Sequence, residues 1–104
     1  MILCTTDKID EKTISETLGL VKGAIVQSKH IGRDFMAGMK TIVGGEIKGY
    51  TEMLNEARNV ATERMIEEAN KLGADAIVGI RYGTSEATQG AAEVFAYGTA
   101  VKLK

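Results

Sequence analysis

The sequence predicts an α+β domain in which a mainly antiparallel sheet of about four strands is backed by one long and one short helix. Three observations lead to this fold class: a long stretch with helical periodicity, several stretches with strand-like alternation, and glycines at the boundaries between them. The chain has 104 residues, which is enough for one hydrophobic core and too few for two. We therefore expect a single domain that spans residues 1–104.

The long helix is predicted over about residues 46–72. Apolar residues recur there at spacings of three, four and seven, as in a helix that covers one face of a sheet. Charged residues fall mainly on the other side, where Arg64 and Glu68 form a pair four residues apart. Gly73 then follows the last apolar residue, which is typical of a left-handed helix cap. The apolar stripe consists of Ile47, Tyr50, Leu54, Ala57, Ala61, Met65, Ala69 and Leu72, widened by Met53 and Val60.

The chain before that helix predicts two strands and the short helix. Met1 to Thr6 is consistent with a brief strand. From Thr13 to Lys29 the apolar phase shifts near Gly19 to Gly23, which indicates one long strand bent or bulged at a glycine. His30 to Val43 changes to helical spacing, and Gly44-Gly45 separates this short helix from the long one.

Two further strands are predicted after the long helix. Ala74 to Tyr82 alternates like a strand, and the TSEATQG segment after it predicts a hairpin connection into a last strand from about Ala91 to Leu103. Both faces of the last strand are largely free of charge, whereas a sheet with one wet face should show polar residues at alternate positions. We therefore expect the helices to cover one face and a second subunit the other, although a sheet curled on itself would leave the same pattern.

Composition and charge argue against several classes of partner. Thirteen basic and fourteen acidic residues are mixed along the chain, for a net charge of −1, so we expect no nucleic acid and no anionic membrane as partner. No apolar run approaches the ~18 to 20 residues of a membrane-spanning helix, and the first residues do not resemble a signal peptide. With a single cysteine, these features predict a cytoplasmic location.

A set of short motifs runs through nearly the whole chain. Its members are Gly44-Gly45 with Tyr50 downstream, Ala57-Arg58 followed by Ala61, the run GADAIVG from Gly73 to Gly79, and the run YGTAV from Tyr97 to Val101. In this order and spacing they resemble the YbjQ-like family, often described as a heavy-metal-binding domain. The resemblance implies a dodecin-like subunit whose strands join those of identical subunits around a ring, with a pentamer preferred. One departure is Asp75, which stands where relatives often carry Asn and which we expect to cap the turn.

The candidate metal ligands are Cys4, the only cysteine, and His30, the only histidine. Both are donors that a soft divalent metal accepts, but one of each cannot form a closed tetrahedral site. A metal would therefore have to be shared between symmetry-related subunits. A lone strand cysteine is more often a small buried hydrophobe, and Lys29 and Arg33 beside His30 oppose a cation. We expect Cys4 to be a buried packing residue, with metal ligation as the alternative.

No catalytic constellation emerges from the sequence. Ser28 and His30 are two residues apart but lack the partner and the oxyanion-hole motif that a nucleophile and base require. The leading hypothesis is a non-enzymatic, ring-forming homo-oligomer that binds a heavy metal or a small ligand at a subunit interface. Two alternatives stay open: a structural or interaction scaffold without a small ligand, and an interface enzyme built from Arg81, Tyr97 and a carboxylate such as Glu93.

Overall fold

The computed structural model describes residues 1–28, 48–88 and 91–104. They form β1 (Ile2–Leu3), β2 (Ile14–Ser28), α1 (Lys48–Lys71), β3 (Ala76–Thr88) and β4 (Ala91–Leu103). The four strands make one sheet in the order β1-β3-β4-β2. β4 runs antiparallel to both of its neighbours, while β1 runs parallel to β3, so the sheet is mixed. The predicted short helix, the Gly44-Gly45 break and His30 lie outside the described residues.

β2 is irregular at a glycine, as the phase shift in the sequence predicts. Its register against β4 shifts between Thr17 and Gly19, and Gly19 has a φ of 128°, which side chains disfavour. Further along the strand, Gly23 lies directly beneath the helix. A Cβ at Gly23 would collide with the carbonyl oxygen of Ala61 and the amide nitrogen of Met65. The missing side chain therefore sets how closely α1 approaches the sheet.

α1 covers one face of the sheet with small or flexible side chains. Met53, Ala57, Ala61, Met65 and Ala69 are buried, which confirms the centre of the predicted stripe. They face the main core, whose strand residues are Val21, Ile77, Ile80, Val94, Ala96 and Ala100.

The prediction that the apolar stripe extends to Leu72 is wrong. Leu72 is 45% exposed, because α1 ends at Lys71 and Gly73, with a φ of 75°, turns the chain away. Gly73 thus takes the left-handed conformation that the sequence predicts at the helix end.

The face of the sheet away from α1, here called the outer face, carries a smaller core at one end. Ala76, Val78 and Val101 are buried there, and the residues packed on them are Cys4, Ile9, Ile14 and Leu103. Backbone bonds tie the N-terminal segment to β3: the Cys4 amide donates to the Ile77 carbonyl over 3.1 Å, and the Gly79 amide donates to the Thr6 carbonyl over 2.9 Å. The chain therefore covers by itself part of the face that the sequence assigns to a second subunit.

The β3–β4 hairpin is longer than the sequence predicts. β3 continues to Thr88, so most of the TSEATQG segment is strand and not connection. Thr84, Ser85 and Glu86 pair with residues of β4, and all three are exposed. Their polarity reflects solvation of this end of the hairpin, which a sequence pattern cannot distinguish from a turn.

Candidate functional site

Cys4 lies where the N-terminal segment crosses onto the outer face. Its side chain is half-buried and packs on the smaller core. Sγ donates to the Thr6 carbonyl oxygen over 3.6 Å, and the Cys4 carbonyl accepts from the Ile80 amide over 3.1 Å. The thiol is therefore held in place on one side and borders solvent on the other.

A surface pocket of about 360 Å³ opens beside this thiol, lined by Cys4, Thr6, Lys8, Ile9 and Asp10. It brings together one thiol and one carboxylate, while the Lys8 ammonium in the same wall opposes a cation. A structural zinc site needs four such donors. Among the described residues, no group of three or more His, Cys, Asp or Glu side chains could hold a metal. One chain, as far as the structure describes it, does not fit a closed metal site.

The three residues of the enzyme hypothesis all lie on the outer face. Arg81 and Tyr97 are directly opposite each other on β3 and β4. Glu93 pairs with Ser85, whose hydroxyl donates to Glu93 Oε1 over 3.2 Å. At ~3.4 Å per residue, Glu93 is about 14 Å from Tyr97 along β4. The structure therefore brings Arg81 and Tyr97 together and leaves the carboxylate apart.

β2 adds a second cation beside this pair. Lys22 is the cross-strand partner of Tyr97 on the side away from Arg81. Lys22, Tyr97 and Arg81 thus form one row across β2, β4 and β3, here called the basic row, and all three are exposed. Sequence reasoning misses this row, because its register depends on irregularities between Thr17 and Gly19 and between Val78 and Arg81.

Contacts within the chain hold two members of the basic row. Arg81 Nη1 donates to the Thr5 carbonyl over 2.9 Å and to its neighbour's carbonyl, that of Ile80, over 2.8 Å. The ring of Tyr97 stacks on Phe95, with centroids 6.1 Å apart and planes inclined by 26°. The guanidinium is therefore held toward the N-terminal segment, on the side of β3 away from β4, and the phenol is held against Phe95.

Two charged side chains of α1 reach the edge of β2 that faces away from β4, where the described part of the chain places no other strand. Arg64 Nη1 donates to the Ala24 carbonyl over 2.6 Å, and the Lys22 amide donates to Glu68 Oε1 over 3.3 Å. The sequence predicts Arg64 and Glu68 as a pair along the helix, but the structure directs both to backbone groups that an edge strand leaves unpaired.

Asp75 joins the connection between α1 and β3 to the last residues of β4. Its Oδ2 accepts from the Leu103 amide over 2.9 Å, and its own amide donates to the Val101 carbonyl over 2.9 Å. The hydrogen bond that the structure gives this carboxylate thus runs to the end of β4 and not to its own turn, where the sequence predicts a cap.

The chain matches a known protein family over its full length. The model of the YbjQ family, described as "Putative heavy-metal-binding", covers residues 1–104. The chain belongs to this family. A UPF0145 protein of Vibrio parahaemolyticus is 63% identical over 103 residues, 99% of this chain and 98% of its own length. One from Clostridium novyi is 62% identical over 103 residues, 99% of each chain. Neither name describes an activity.

A solved structure supports the fold of this YbjQ family member. The crystal structure of a protein of unknown function from Pediococcus pentosaceus, assigned to the DUF74 family, has a TM-score of 0.67. It is 19% identical, and the match covers 100% of this chain and 98% of that one. At this identity the likeness concerns the fold alone. α1, the helix in the described part of the chain, lacks the apolar length that a membrane-spanning segment needs.

Proposed function

We propose that the chain is a non-enzymatic, cytoplasmic binding module that assembles into a closed ring of identical subunits and holds a small ligand between them. The observation that carries this proposal is the pair of unlike open edges on its sheet. Within the described residues, β2 pairs only with β4 and is an edge strand along its whole length. On the other side, the N-terminal segment pairs with β3 as far as Ile80, and no neighbouring strand follows within the described residues.

Open edges expose backbone amides and carbonyls that another strand can pair with. Because the two edges belong to different strands, pairing β3 of one copy with β2 of the next is a head-to-tail contact. Such contacts close into a ring when the rotation from one copy to the next is a whole fraction of a turn, and otherwise extend into a filament. The side chains of Leu20 and Val26 on β2 are 65% and 56% exposed, which adds apolar surface at one edge. The family resemblance favours five subunits and a dodecin-like arrangement.

The assembly is tested by native mass spectrometry and sedimentation velocity on untagged protein at micromolar concentration. We expect one closed species of five 11.1 kDa chains. A monomer under these conditions would refute the ring, and a closed ring of another size would refute only the number. Arg64 and Glu68 occupy one carbonyl and one amide of the β2 edge, so pairing must exchange or bypass these two contacts.

The metal in the family description fits this chain only as an ion shared between subunits. Within the described residues Cys4 is the one cysteine, and its pocket adds a single carboxylate and an opposing lysine. Thiolates within ~4 Å of one another would be needed to share a metal at the ~2.3 Å bond length. The structure provides no second soft donor beside Cys4 in the part of the chain that it describes.

A zinc titration of the wild type and Cys4→Ser at two pH values decides the role of the thiol. We expect the substitution to leave any zinc affinity unchanged and to lower stability slightly, since a hydroxyl replaces a half-buried sulfur. If the thiolate binds metal, affinity should rise with pH and disappear in Cys4→Ser. Saturation at a fixed ratio that vanishes in the variant would assign the metal to Cys4.

A further inference from the structure

We propose that Arg64 and Glu68 form a latch on the edge of β2 that faces away from β4, and that a second copy of this chain must open the latch to pair there. Arg64 Nη1 donates to the Ala24 carbonyl over 2.6 Å. Glu68 Oε1 accepts from the Lys22 amide over 3.3 Å. The inference rests on the proposed ring assembly and deepens it, because it names what controls the pairing of one copy with the next.

The helix and the strand match in spacing where the latch closes. Arg64 and Glu68 are one helical turn apart, ~6 Å along α1. Lys22 and Ala24 are two residues apart, ~7 Å along β2. Alternate residues of a strand direct their amides and carbonyls to the same side, so both contacts lie on one edge. The latch therefore spans one continuous stretch of that edge.

Each side chain of the latch has the polarity that its backbone partner requires. The amide of Lys22 can only donate, and an ionised Glu68 carboxylate only accepts. The carbonyl of Ala24 can only accept, and the Arg64 guanidinium only donates. Exchanging the two side chains would place two acceptors together at one end of the latch and two donors at the other. The order of the charges along α1 is therefore part of the latch.

Gly23 allows the helix to come close enough for the latch to close. It lies between the two strand residues whose backbones the latch holds. A Cβ at Gly23 would come within 2.8 Å of the Arg64 Cβ, so Arg64 leaves the helix directly above the glycine. From there its side chain extends to the carbonyl of the next residue of β2.

The latch covers the part of β2 that invites another strand. Leu20 and Val26 lie on either side of it and are 65% and 56% exposed, and apolar residues on an edge strand favour pairing with another chain. A strand that pairs across this stretch needs the Lys22 amide and the Ala24 carbonyl for its own ladder, so it must displace both side chains. The subunit that associates is the one with an open latch. The latch therefore lowers the apparent affinity by the fraction of subunits in which it is open.

A charge-swap variant, Arg64→Glu together with Glu68→Arg, tests the latch. Net charge, composition and an oppositely charged pair one turn apart are unchanged, but neither new side chain can bond the backbone group beside it. We expect the dissociation constant of the proposed assembly, measured by sedimentation equilibrium, to fall about tenfold, as for a latch that is open about a tenth of the time. Thermal melting followed by circular dichroism checks that the swapped chain stays folded.

Glu67→Lys together with Lys71→Glu is the matched control. It exchanges another oppositely charged, exposed pair of α1 that is one turn apart, and it leaves both contacts of the latch in place. We expect its dissociation constant to stay within about twofold of the wild type, since exposed charge pairs contribute little.

Two single substitutions separate the donor from the rest of the latch. Arg64→Ala removes the donor to the Ala24 carbonyl, so it should tighten the assembly by a smaller factor than the charge swap. Arg64→Lys keeps a donor at this position, and its dissociation constant should stay close to that of the wild type.

Three results would overturn the latch: equal dissociation constants for the charge swap and the wild type, weaker assembly of the charge swap, or an equal gain in the control. Weaker assembly would mean that Arg64 and Glu68 hold the neighbouring copy and not their own chain. The ring is judged separately. A monomeric wild type with an assembled charge swap refutes the ring and supports the latch, whereas equal assembly of both upholds the ring and refutes the latch. Both proposals are wrong if both proteins stay monomeric.

Discussion

Gly23 shows how one residue sets the distance between helix and sheet. The position is buried, and a Cβ there would collide with backbone atoms of Ala61 and Met65. Backbone atoms cannot rotate away as a long side chain does, so the helix as a whole would have to move. The small residues Ala57 and Ala61, both fully buried, follow from the same close approach.

Gly23→Ala is therefore expected to destabilise the fold by about 1 to 3 kcal/mol, the usual cost of overpacking a core. Urea unfolding followed by circular dichroism measures this change. Gly49→Ala is the matched control, because Gly49 is an exposed helical residue and alanine there should stabilise by roughly 0.5 to 1 kcal/mol. Equal effects of the two substitutions would contradict the close approach at Gly23.

At the scale of elements, α1 is stabilised by a short stretch of its predicted stripe. Met65 is fully buried and belongs to the main core. Leu54 is only partly buried against that core, and Leu72 is 45% exposed. The buried part of the helix thus runs from Met53 to Ala69, with one buried residue on each turn.

Met65→Ala should lower the free energy of unfolding by about 2 to 5 kcal/mol, since it leaves a cavity beneath the helix. Leu72→Ala removes a side chain of similar size from an exposed position and should change it by less than about 0.5 kcal/mol. Chemical denaturation of both variants provides the comparison. A larger loss in Leu72→Ala than in Met65→Ala would mean that the helix face is assigned wrongly.

Elements that carry a clear hydrophobic period could be predicted from the sequence. β4 spans Ala91–Leu103 as the alternation predicts, because every second residue from Val94 to Ala100, Gly98 included, is buried. The end of β3 could not be predicted. Glu86 and its neighbours are exposed residues of a strand, and the same polar residue types also occur in turns.

The basic row is a harder case for sequence reasoning. Arg81 and Tyr97 already stand out in the sequence, as members of the enzyme hypothesis. Lys22 does not, because its place beside Tyr97 follows from the pairing of β2 with β4, and that register includes two irregularities. A one-residue slip moves a side chain to the other face of a sheet, so residue type alone cannot align the three.

At the scale of the whole molecule, the sheet has one face covered by α1 and an outer face that is only partly covered. α1 and the main core close the first, while the N-terminal segment covers one end of the second. What stays exposed includes Leu20 and Val26 on β2, the edge strand of the described sheet, and Tyr97 on the neighbouring β4. Exposed apolar groups beside an unpaired strand edge are typical of a surface that associates.

The last prediction concerns this edge. Val26 is 56% exposed, so Val26→Lys should leave the folded subunit intact, but it places a charge that must be desolvated when another strand pairs with β2. Lysine on edge strands opposes such pairing. We expect the dissociation constant of the proposed assembly, measured by sedimentation equilibrium, to rise at least about tenfold, the equivalent of ~1.4 kcal/mol.

Asn59→Lys serves as control, because Asn59 is exposed on α1 and the substitution adds the same charge away from the sheet. Its dissociation constant should stay close to that of the wild type. Thermal melting at a concentration where both variants are dissociated checks that neither alters the folded subunit. If Val26→Lys assembles as tightly as Asn59→Lys, the edge of β2 is not the contact surface, and subunits must associate through another part of the molecule.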